Sequence, residues 1–217
     1  MHDRRIDGAP HTFGNQGGLF LQAMVWWDHE TNSFWSQPTG LGILGDYAGV
    51  RLEGIPASVE TWSAWVSEHP DTVVLADPDG LPAPRAAADP FARSRVGEVA
   101  GVTLGDDSKA WYVHAVGESV ALNDTIGERP VLVYANPDEG SVHIYLRETA
   151  ERTLEFEWTD GRLVDTSTGS VWNGGLGIAI EGDLAGEALR VLPHSSAFDW
   201  AWALHHPRTE FYPPLAQ

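Results

Sequence analysis

The chain has 217 residues, with 31 acidic against 13 basic side chains, a formal net charge of -18 at pH 7 and no cysteine. This charge argues against nucleic acids and anionic membranes as partners, because both require a basic face on the protein. The lack of cysteine excludes disulfides, thiolate metal ligands and a cysteine nucleophile.

The start of the chain gives no sign of export. Residues 1–8 are polar and lack the apolar stretch of a signal peptide. The longest apolar run, residues 19–27, is interrupted by Gln22 and is too short to span a bilayer. We therefore expect a soluble protein, cytoplasmic by default, that does not insert into a membrane.

The first predicted elements surround a pair of tryptophans. Residues 14–18 contain three glycines and lack the Lys-Ser/Thr ending of a phosphate-binding loop, which predicts a flexible loop. Trp26 and Trp27 follow it. Neighbours on a strand face opposite sides, so a strand here would expose one of the two rings. Another short strand is predicted at Trp35.

A short helix is predicted after Pro56. Ser58 offers an N-cap oxygen to the free backbone N–H groups of a helix start. Trp62, Trp65 and Val66 then recur at the spacing of one helix face. The helix should end at His69, because the residue before a proline is disfavoured in the α region.

A linker is predicted over residues 77–96, where proline, glycine and alanine are dense. Beyond it the pattern is β, with strands predicted over residues 98–104, 110–115, 131–134 and 142–146. Residues 153–158 and 162–165 flank Asp160-Gly161, the strongest hairpin signal in the chain.

The most informative feature is an internal repeat. At an offset of 137, residues 31–75 align without a gap with residues 168–212, and 17 of the 45 positions are identical, against about three expected from average composition. In the second copy Ser195 or Ser196 would cap the helix, and Phe198, Trp202 and His205 would share a face. The identical residues of the first copy are Thr31, Ser33, Trp35, Gly40, Ile43, Gly45, Asp46, Ala48, Gly49, Leu52, Pro56, Ser58, Ala64, Trp65, His69, Pro70 and Thr72.

These patterns predict an α+β, mainly β fold. It consists of two tandem pseudo-repeats of short antiparallel strands, each ending in a short helix. Residues 1–76 form an incomplete first repeat, residues 77–96 the linker, and residues 97–217 a complete second repeat. Trp35 recurs as Trp172 and Trp65 recurs as Trp202, which favours a core position for both pairs.

The chain resembles a bacterial and archaeal family of unknown function, DUF3179. The resemblance covers nearly the whole chain and rests on the order and spacing of several motifs. They are Asp3-Arg4-Arg5-Ile6-Asp7-Gly8, Trp26-Trp27-Asp28, Ser33-Phe34-Trp35-Ser36-Gln37, His69-Pro70-Asp71-Thr72, Asn123-Asp124-Thr125-Ile126-Gly127 and Ala197-Phe198-Asp199-Trp200.

The resemblance implies architecture more than activity. Typical members carry a Cys-Pro-Leu-Cys motif in an opening half-repeat that this chain lacks, and residues 136–139 stand at the corresponding place in the second repeat. If the first repeat is incomplete, its sheet needs another partner. We therefore expect a homo-oligomer formed through that repeat, since unpaired strand edges recruit strands.

The nine histidines do not form an established ligand pattern such as His-Glu-x-x-His. His69 and His206 stand at equivalent helix ends, where capping the last carbonyls is the simpler role. His114 and His143 lie on separate predicted strands and could converge with Asp124 on a metal ion. Metal content and cofactors therefore stay open.

Two functions fit these residues. The first is a non-catalytic binding or accessory module for a small molecule or glycan, in which tryptophan rings stack on apolar ligand faces. The alternative is a metal-binding protein or a hydrolase-type enzyme with its site near Asp28, Trp35, Ser36, Gln37 and His69. The predicted ligand-binding residues are Trp27, Asp28, Trp35, Ser36, Gln37 and His69.

Overall fold

The computed structural model of the chain describes residues 1–74, 97–113, 116–150 and 152–212, so the predicted linker at 77–96 lies outside the described residues. The described part is mainly β. In chain order its elements are β1 (Arg5–Ile6), β2 (Ala9–Pro10), β3 (Phe13–Phe20), β4 (Ala23–Asp28), β5 (Phe34–Ser36), β6 (Gly42–Leu44), α1 (Trp62–Glu68), β7 (Glu98–Leu104), β8 (Asp107–Trp111), β9 (Val120–Ile126), β10 (Arg129–Asn136), β11 (Ser141–Leu146), β12 (Phe156–Thr159), β13 (Arg162–Asp165), β14 (Val171–Asn173), β15 (Ile178–Glu181), β16 (Arg190–Val191), β17 (Ser195–Phe198), α2 (Asp199–His205) and β18 (Glu210–Tyr212).

The sheets are small and almost entirely antiparallel. Besides the β1-β2 hairpin, the described strands form four sheets of four, in the orders β3-β4-β5-β6, β17-β7-β8-β18, β16-β11-β10-β9 and β12-β13-β14-β15. The pairing of β18 with β8 is parallel, and the other strand pairs are antiparallel.

Strands β10 and β11 form a central layer that is buried on both faces. On β10, Val131 and Val133 pack into a cluster with Trp111 of β8, whereas Leu132 packs into a cluster with Trp172 of β14. This explains why β10 is a continuous apolar run, because a strand covered on both sides does not alternate with polar residues.

The sheet β3–β6 has a smaller core of its own. Trp35, Ile6 and Leu52 are buried there, and Phe13 and Trp26 pack against them from the side. Trp35 and Trp172 are 0% and 3% exposed, which confirms the prediction that this recurring pair lies in the core.

Asp28 and Asp165, which the offset of 137 pairs with each other, each end a hairpin, and the two hairpins differ in length. In β12–β13, Phe156 pairs with Asp165 around the turn Asp160-Gly161. In β3–β4, Phe13 pairs with Asp28, so the hairpin over 13–28 is longer than the hairpin over 156–165. The predicted loop at 14–18 lies inside β3, where the register shifts between Asn15 and Leu19.

Both helices begin later than the sequence predicts. Helix α1 has Thr61 as its N-cap, while Ser58 Oγ donates a hydrogen bond to Glu60 instead. Ser195 and Ser196 are not caps, because their segment pairs with β7 as strand β17. Phe198 precedes α2 without a side-chain capping bond.

The helix ends agree better with prediction than the helix faces. Helix α1 ends before His69 and α2 before His206, each C-cap N–H donating to a tryptophan carbonyl. Helix α1 contains Trp62, Trp65 and Val66 as predicted, but no α1 residue is buried and Trp62 is 57% exposed, so the expected core position of Trp65 is wrong. Strand β8 begins at Asp107, before the start of the predicted strand at 110.

Helix α1 lies against the second half of the chain. The Thr61 N–H donates to the Glu139 carbonyl at 2.9 Å, and the Glu68 carboxylate lies beside Gly175. Gly54 and Pro193 form another contact between the halves, since a Cβ at Gly54 would meet the proline ring at 3.1 Å. Within the described residues, neither helix has the length and apolar character needed to cross a bilayer.

Candidate functional site

The candidate site is built on a buried aspartate at the end of β4. Asp28 is fully buried and its carboxylate accepts hydrogen bonds from the Trp35 indole at 2.9 Å and from the Thr31 backbone N–H at 2.7 Å. The Thr31 hydroxyl also donates to it. A buried carboxylate needs such donors, because an unpaired one would lose its hydration without compensation.

The carboxylate of Asp28 remains ionised in spite of its burial. Burial alone raises its pKa. The hydrogen bonds from Trp35 and Thr31, together with the nearby His11, outweigh this effect and hold the pKa of Asp28 below its ordinary value. The site therefore has a fixed negative charge at neutral pH.

The same network occurs at the end of β13. Asp165 accepts from the Trp172 indole at 3.3 Å and from the Thr168 N–H at 2.8 Å, and hydrogen bonds hold its pKa below the ordinary value although burial raises it. In each half a serine hydroxyl contacts the threonine at 2.7 Å: Ser33 in one, Ser170 in the other. The Asp-Thr-Ser-Trp network is thus a structural unit of both halves.

Two residues distinguish the first network from the second. The His11 Nδ1 atom lies 3.6 Å from Asp28 Oδ1 and 3.6 Å from Glu30 Oε2. The His11 side chain is 7% exposed, and Nδ1 is buried with no hydrogen-bond partner among the described residues. Buried polar atoms are nearly always paired, so this one indicates a missing partner.

Backbone contacts fix the two residues in place. The His11 N–H donates to the Arg4 carbonyl at 2.9 Å. The Glu30 carboxylate accepts from the Thr12 N–H at 3.0 Å, and this bond holds the pKa of Glu30 below its ordinary value. The three side chains His11, Asp28 and Glu30 bring one ligand atom each within 4.8 Å of one another.

The second half closes the same position with ordinary residues. Leu154 donates its N–H to the Arg147 carbonyl at 2.8 Å, as His11 does to Arg4, and its side chain is fully buried. Ser167, which the offset of the internal repeat pairs with Glu30, donates to Asp165 Oδ1 at 2.9 Å. Leu154 and Ser167 thus occupy, in the Asp165 network, the positions that His11 and Glu30 occupy in the Asp28 network.

The chemistry of the cluster suits a divalent cation. Imidazole nitrogen with two carboxylates is a ligand set for zinc or manganese, and zinc bonds to such atoms are about 2.0–2.2 Å long. Tetrahedral ligands at that length lie about 3.4 Å apart, close to the observed 3.6 Å. The Glu30 side chain is 40% exposed, which leaves a side open to solvent or a further ligand.

Of the predicted site residues, the structure brings together Asp28 and Trp35. Trp27 is adjacent in β4, but strand neighbours point to opposite faces, and its ring stacks on His29 at 4.3 Å. Ser36 is buried, with an Oγ atom that has no partner among the described residues.

The two remaining predicted residues have contacts away from Asp28. The Gln37 carbonyl hydrogen-bonds His2 Nε2 at 3.1 Å. His69 lies at the end of α1, where its ring packs on Trp65 at 4.2 Å and its carbonyl accepts from Thr72. His114 is outside the described residues, and Asp124 is bound by Lys109 and Trp111.

Sequence reasoning did not find His11. The repeat alignment begins at residue 31, and the longer β3–β4 hairpin shifts the register before Asp28. A comparison at an offset of 143, which pairs Phe13 with Phe156, would have placed His11 opposite Leu154. A histidine opposite a core leucine is the signal that was available.

The other motifs singled out in the sequence have structural partners. Asn123 bonds the backbone of Phe156 twice, donating to its carbonyl at 2.7 Å and accepting from its N–H at 2.9 Å. The Asp199 carboxylate accepts from the Tyr112 hydroxyl at 3.0 Å. These residues hold strands and helix α2 in place.

Comparison with known proteins gives a family without an activity. A family model described as "Protein of unknown function (DUF3179)" matches residues 1–95 and residues 85–209. Two matches within one chain fit an internal repeat. No curated protein and no solved structure matches the chain.

Proposed function

We propose, since the chain belongs to the DUF3179 family and that family has no known function, that this member is a binding module whose first half holds a divalent cation. The ligands are His11 Nδ1, one oxygen of Asp28 and one oxygen of Glu30. The observation that carries this proposal is the buried Nδ1 atom of His11, which has no hydrogen-bond partner among the described residues and lies 3.6 Å from both carboxylates.

The charge of the site supports a cation. Asp28 and Glu30 are both held ionised, and the chain between Phe13 and Leu44 contains no lysine or arginine to neutralise them. A divalent ion would balance the two carboxylates and would bind His11 Nδ1, which neither accepts nor donates a hydrogen bond within the described residues.

We further propose that the chain consists of two tandem pseudo-repeats, residues 1–76 and 97–217, joined by residues 77–96, each ending in a short helix. The paired Asp-Trp bonds support this arrangement. The helices support it as well, because the offset of the repeat places Trp62–Glu68 of α1 onto Asp199–His205 of α2. In this view Leu154 and Ser167 keep the second network purely structural.

One observation supports a second candidate, metal-dependent hydrolysis. Catalytic zinc sites have three protein ligands and one open position for water, whereas structural zinc sites have four protein ligands. The exposed side of Glu30 offers such a position. Binding stays the primary proposal because each carboxylate is anchored by backbone donors and serves as a ligand.

The test replaces the cluster with the residues of the other half. We expect Zn²⁺ or Mn²⁺, added after dialysis against a chelator, to raise the melting temperature of the wild-type chain. At an ion concentration of 100 times the dissociation constant, the free energy of unfolding should increase by about 2.7 kcal/mol. His11→Leu with Glu30→Ser should fold and lose this response.

A matched control lies in the second half. Ser167→Ala removes the residue equivalent to Glu30 and should keep the full cation response, because the second network holds no cation. The proposal fails if the wild-type chain shows no shift with either ion, or if the double variant responds as strongly as the wild type.

A further inference from the structure

The β3–β4 hairpin, residues 13–28, carries an exposed apolar end that the equivalent hairpin lacks. Leu19 is 75% exposed, and Phe20, Leu21 and Met24 are 39%, 42% and 44% exposed. These residues belong to the part by which this hairpin exceeds the β12–β13 hairpin. We call residues 13–28 the apolar hairpin.

Its turn is built from residues that do not favour the turn geometry. Leu21 and Gln22 have φ values of 47° and 62°, the left-handed region that Asn, Asp and Gly adopt most readily. The equivalent turn uses Asp160 and Gly161, at 50° and 73°. The Leu21 carbonyl lies near His205 of α2, whereas the leucine side chain is exposed. The fold therefore does not explain why an apolar side chain occupies this strained position.

The charge of the hairpin also differs from the rest of the molecule. No residue from Phe13 to Trp27 is charged, in a chain of net charge -18. The β12–β13 hairpin, in contrast, contains Glu157, Asp160, Arg162 and Asp165. Two copies of so acidic a chain repel each other, and an uncharged surface is where they approach at least electrostatic cost.

The outer edge of β3 has no partner strand in the described part of the chain. Strand β3 ends its sheet, and two of its N–H groups, those of Gly17 and Gly18, are taken up by the side chains of Asn15 and Gln16. The equivalent strand β12 has its edge closed by Asn123, which bonds both backbone groups of Phe156. An uncharged strand with an open edge is a template for another strand.

From these observations we infer that the apolar hairpin is a docking surface for a second copy of this chain. The two hairpins meet around a two-fold axis, so that each contributes the same residues to the contact. Four exposed side chains cover less than the about 800 Å² per partner of a standard interface. The dimer is therefore expected in the micromolar range of dissociation constants.

The test measures the mass of the full chain by light scattering, from low micromolar to near-millimolar concentration, in the presence of a chelator so that cations do not bridge the molecules. We expect the wild type to change from monomer to dimer over this range. Leu21→Asp with Gln22→Gly, the turn of the other half, should raise the melting temperature and abolish the dimer.

Two further variants make the result decisive. Ile180→Asp adds the same charge at an apolar residue of strand β15 that is 56% exposed. This variant should dimerise as the wild type does. Leu19→Ser leaves the turn unchanged and should weaken the dimer at least tenfold. A wild type that stays monomeric, or a folded Leu19→Ser variant that dimerises normally, overturns the inference.

Discussion

At the scale of residues, the side chains that are identical in the two copies and the side chains that differ have different roles. The side chains that recur, Asp28 with Asp165 and Trp35 with Trp172, form the same buried hydrogen bonds in both halves. They hold the fold. His11 and Glu30 depart from their counterparts, and with Asp28 they bring an imidazole nitrogen that lacks a partner among the described residues to face two carboxylates.

The indole of Trp35 should contribute to stability through its N–H as well as through its packing. Trp35→Phe removes the donor to Asp28 and leaves a buried carboxylate with one bond fewer, which costs about 1–3 kcal/mol, with a further term for the lost ring volume. Urea unfolding measures the loss. Trp172→Phe is the matched variant and should lose a similar amount, since Asp165 has equivalent partners.

An unchanged midpoint in both variants would contradict the assignment of the network as structural. A loss confined to Trp35→Phe would indicate that the second network contributes little.

At the scale of elements, the sequence predicts a strand or hairpin best where the local chemistry agrees with the fold. Strand β7 is predicted to the residue, and the β12–β13 hairpin is marked by its Asp160-Gly161 turn. The β3–β4 hairpin is not predicted, because Leu21-Gln22 is not turn chemistry and residues 14–18 suggest a loop. The side chains of Asn15 and Gln16 satisfy N–H groups of that segment within the strand.

The helices show the same limit. Proline fixes where α1 and α2 end, but the serines expected to cap them are engaged elsewhere, Ser195 by pairing with Gly101. In the candidate site, the sequence indicates Asp28 because it follows Trp26-Trp27, and the recurrence of Trp35 indicates a core position. His11 was not predicted, because its proximity to Asp28 depends on strand pairing across a hairpin of unexpected length.

The packing of α2 on β7 depends on a glycine. A Cβ added at Gly101 would lie 2.5 Å from the ring of Trp202, which is buried against Val99 and Ala110. Gly101→Ala should therefore destabilise the protein by about 1–3 kcal/mol through overpacking, seen as a lower midpoint of urea unfolding.

Gly117→Ala is the control for this substitution, because a Cβ there meets nothing within 4 Å. Equal stability of Gly101→Ala and the wild type would show that Trp202 moves freely, against the close contact described above.

At the scale of the whole molecule, stability should fall as the pH becomes acidic. Burial, with a smaller contribution from the nearby charge of His194, lowers the pKa of His143 to about 4. The ring of His143 lies between those of Tyr134 and Tyr145, with ring centroids 6.5 and 6.2 Å away. Both tyrosines are neutral at acidic pH, since the ordinary tyrosine pKa is about 10 and burial raises it further.

The sign follows from the folded-state pKa lying below the unfolded value of about 6.5. The folded state keeps His143 neutral, so stability is complete above that value and is lost as the pH falls from about 6.5 towards 4, by roughly 3 kcal/mol for this residue. Unfolding free energies at several pH values measure it. His143→Phe should flatten this dependence, and an equally steep loss in that variant would contradict the assignment.

The most direct measurement of the central claim, that His11, Asp28 and Glu30 hold a cation, is anomalous X-ray scattering from a crystal of the chain grown with Mn²⁺ or Zn²⁺. We predict a single strong peak about 2.0–2.2 Å from the three ligand atoms and none beside Asp165, where Leu154 and Ser167 close the position. Crystals with no peak between His11 Nδ1 and the two carboxylates, at ion concentrations that saturate the protein in solution, would contradict the account.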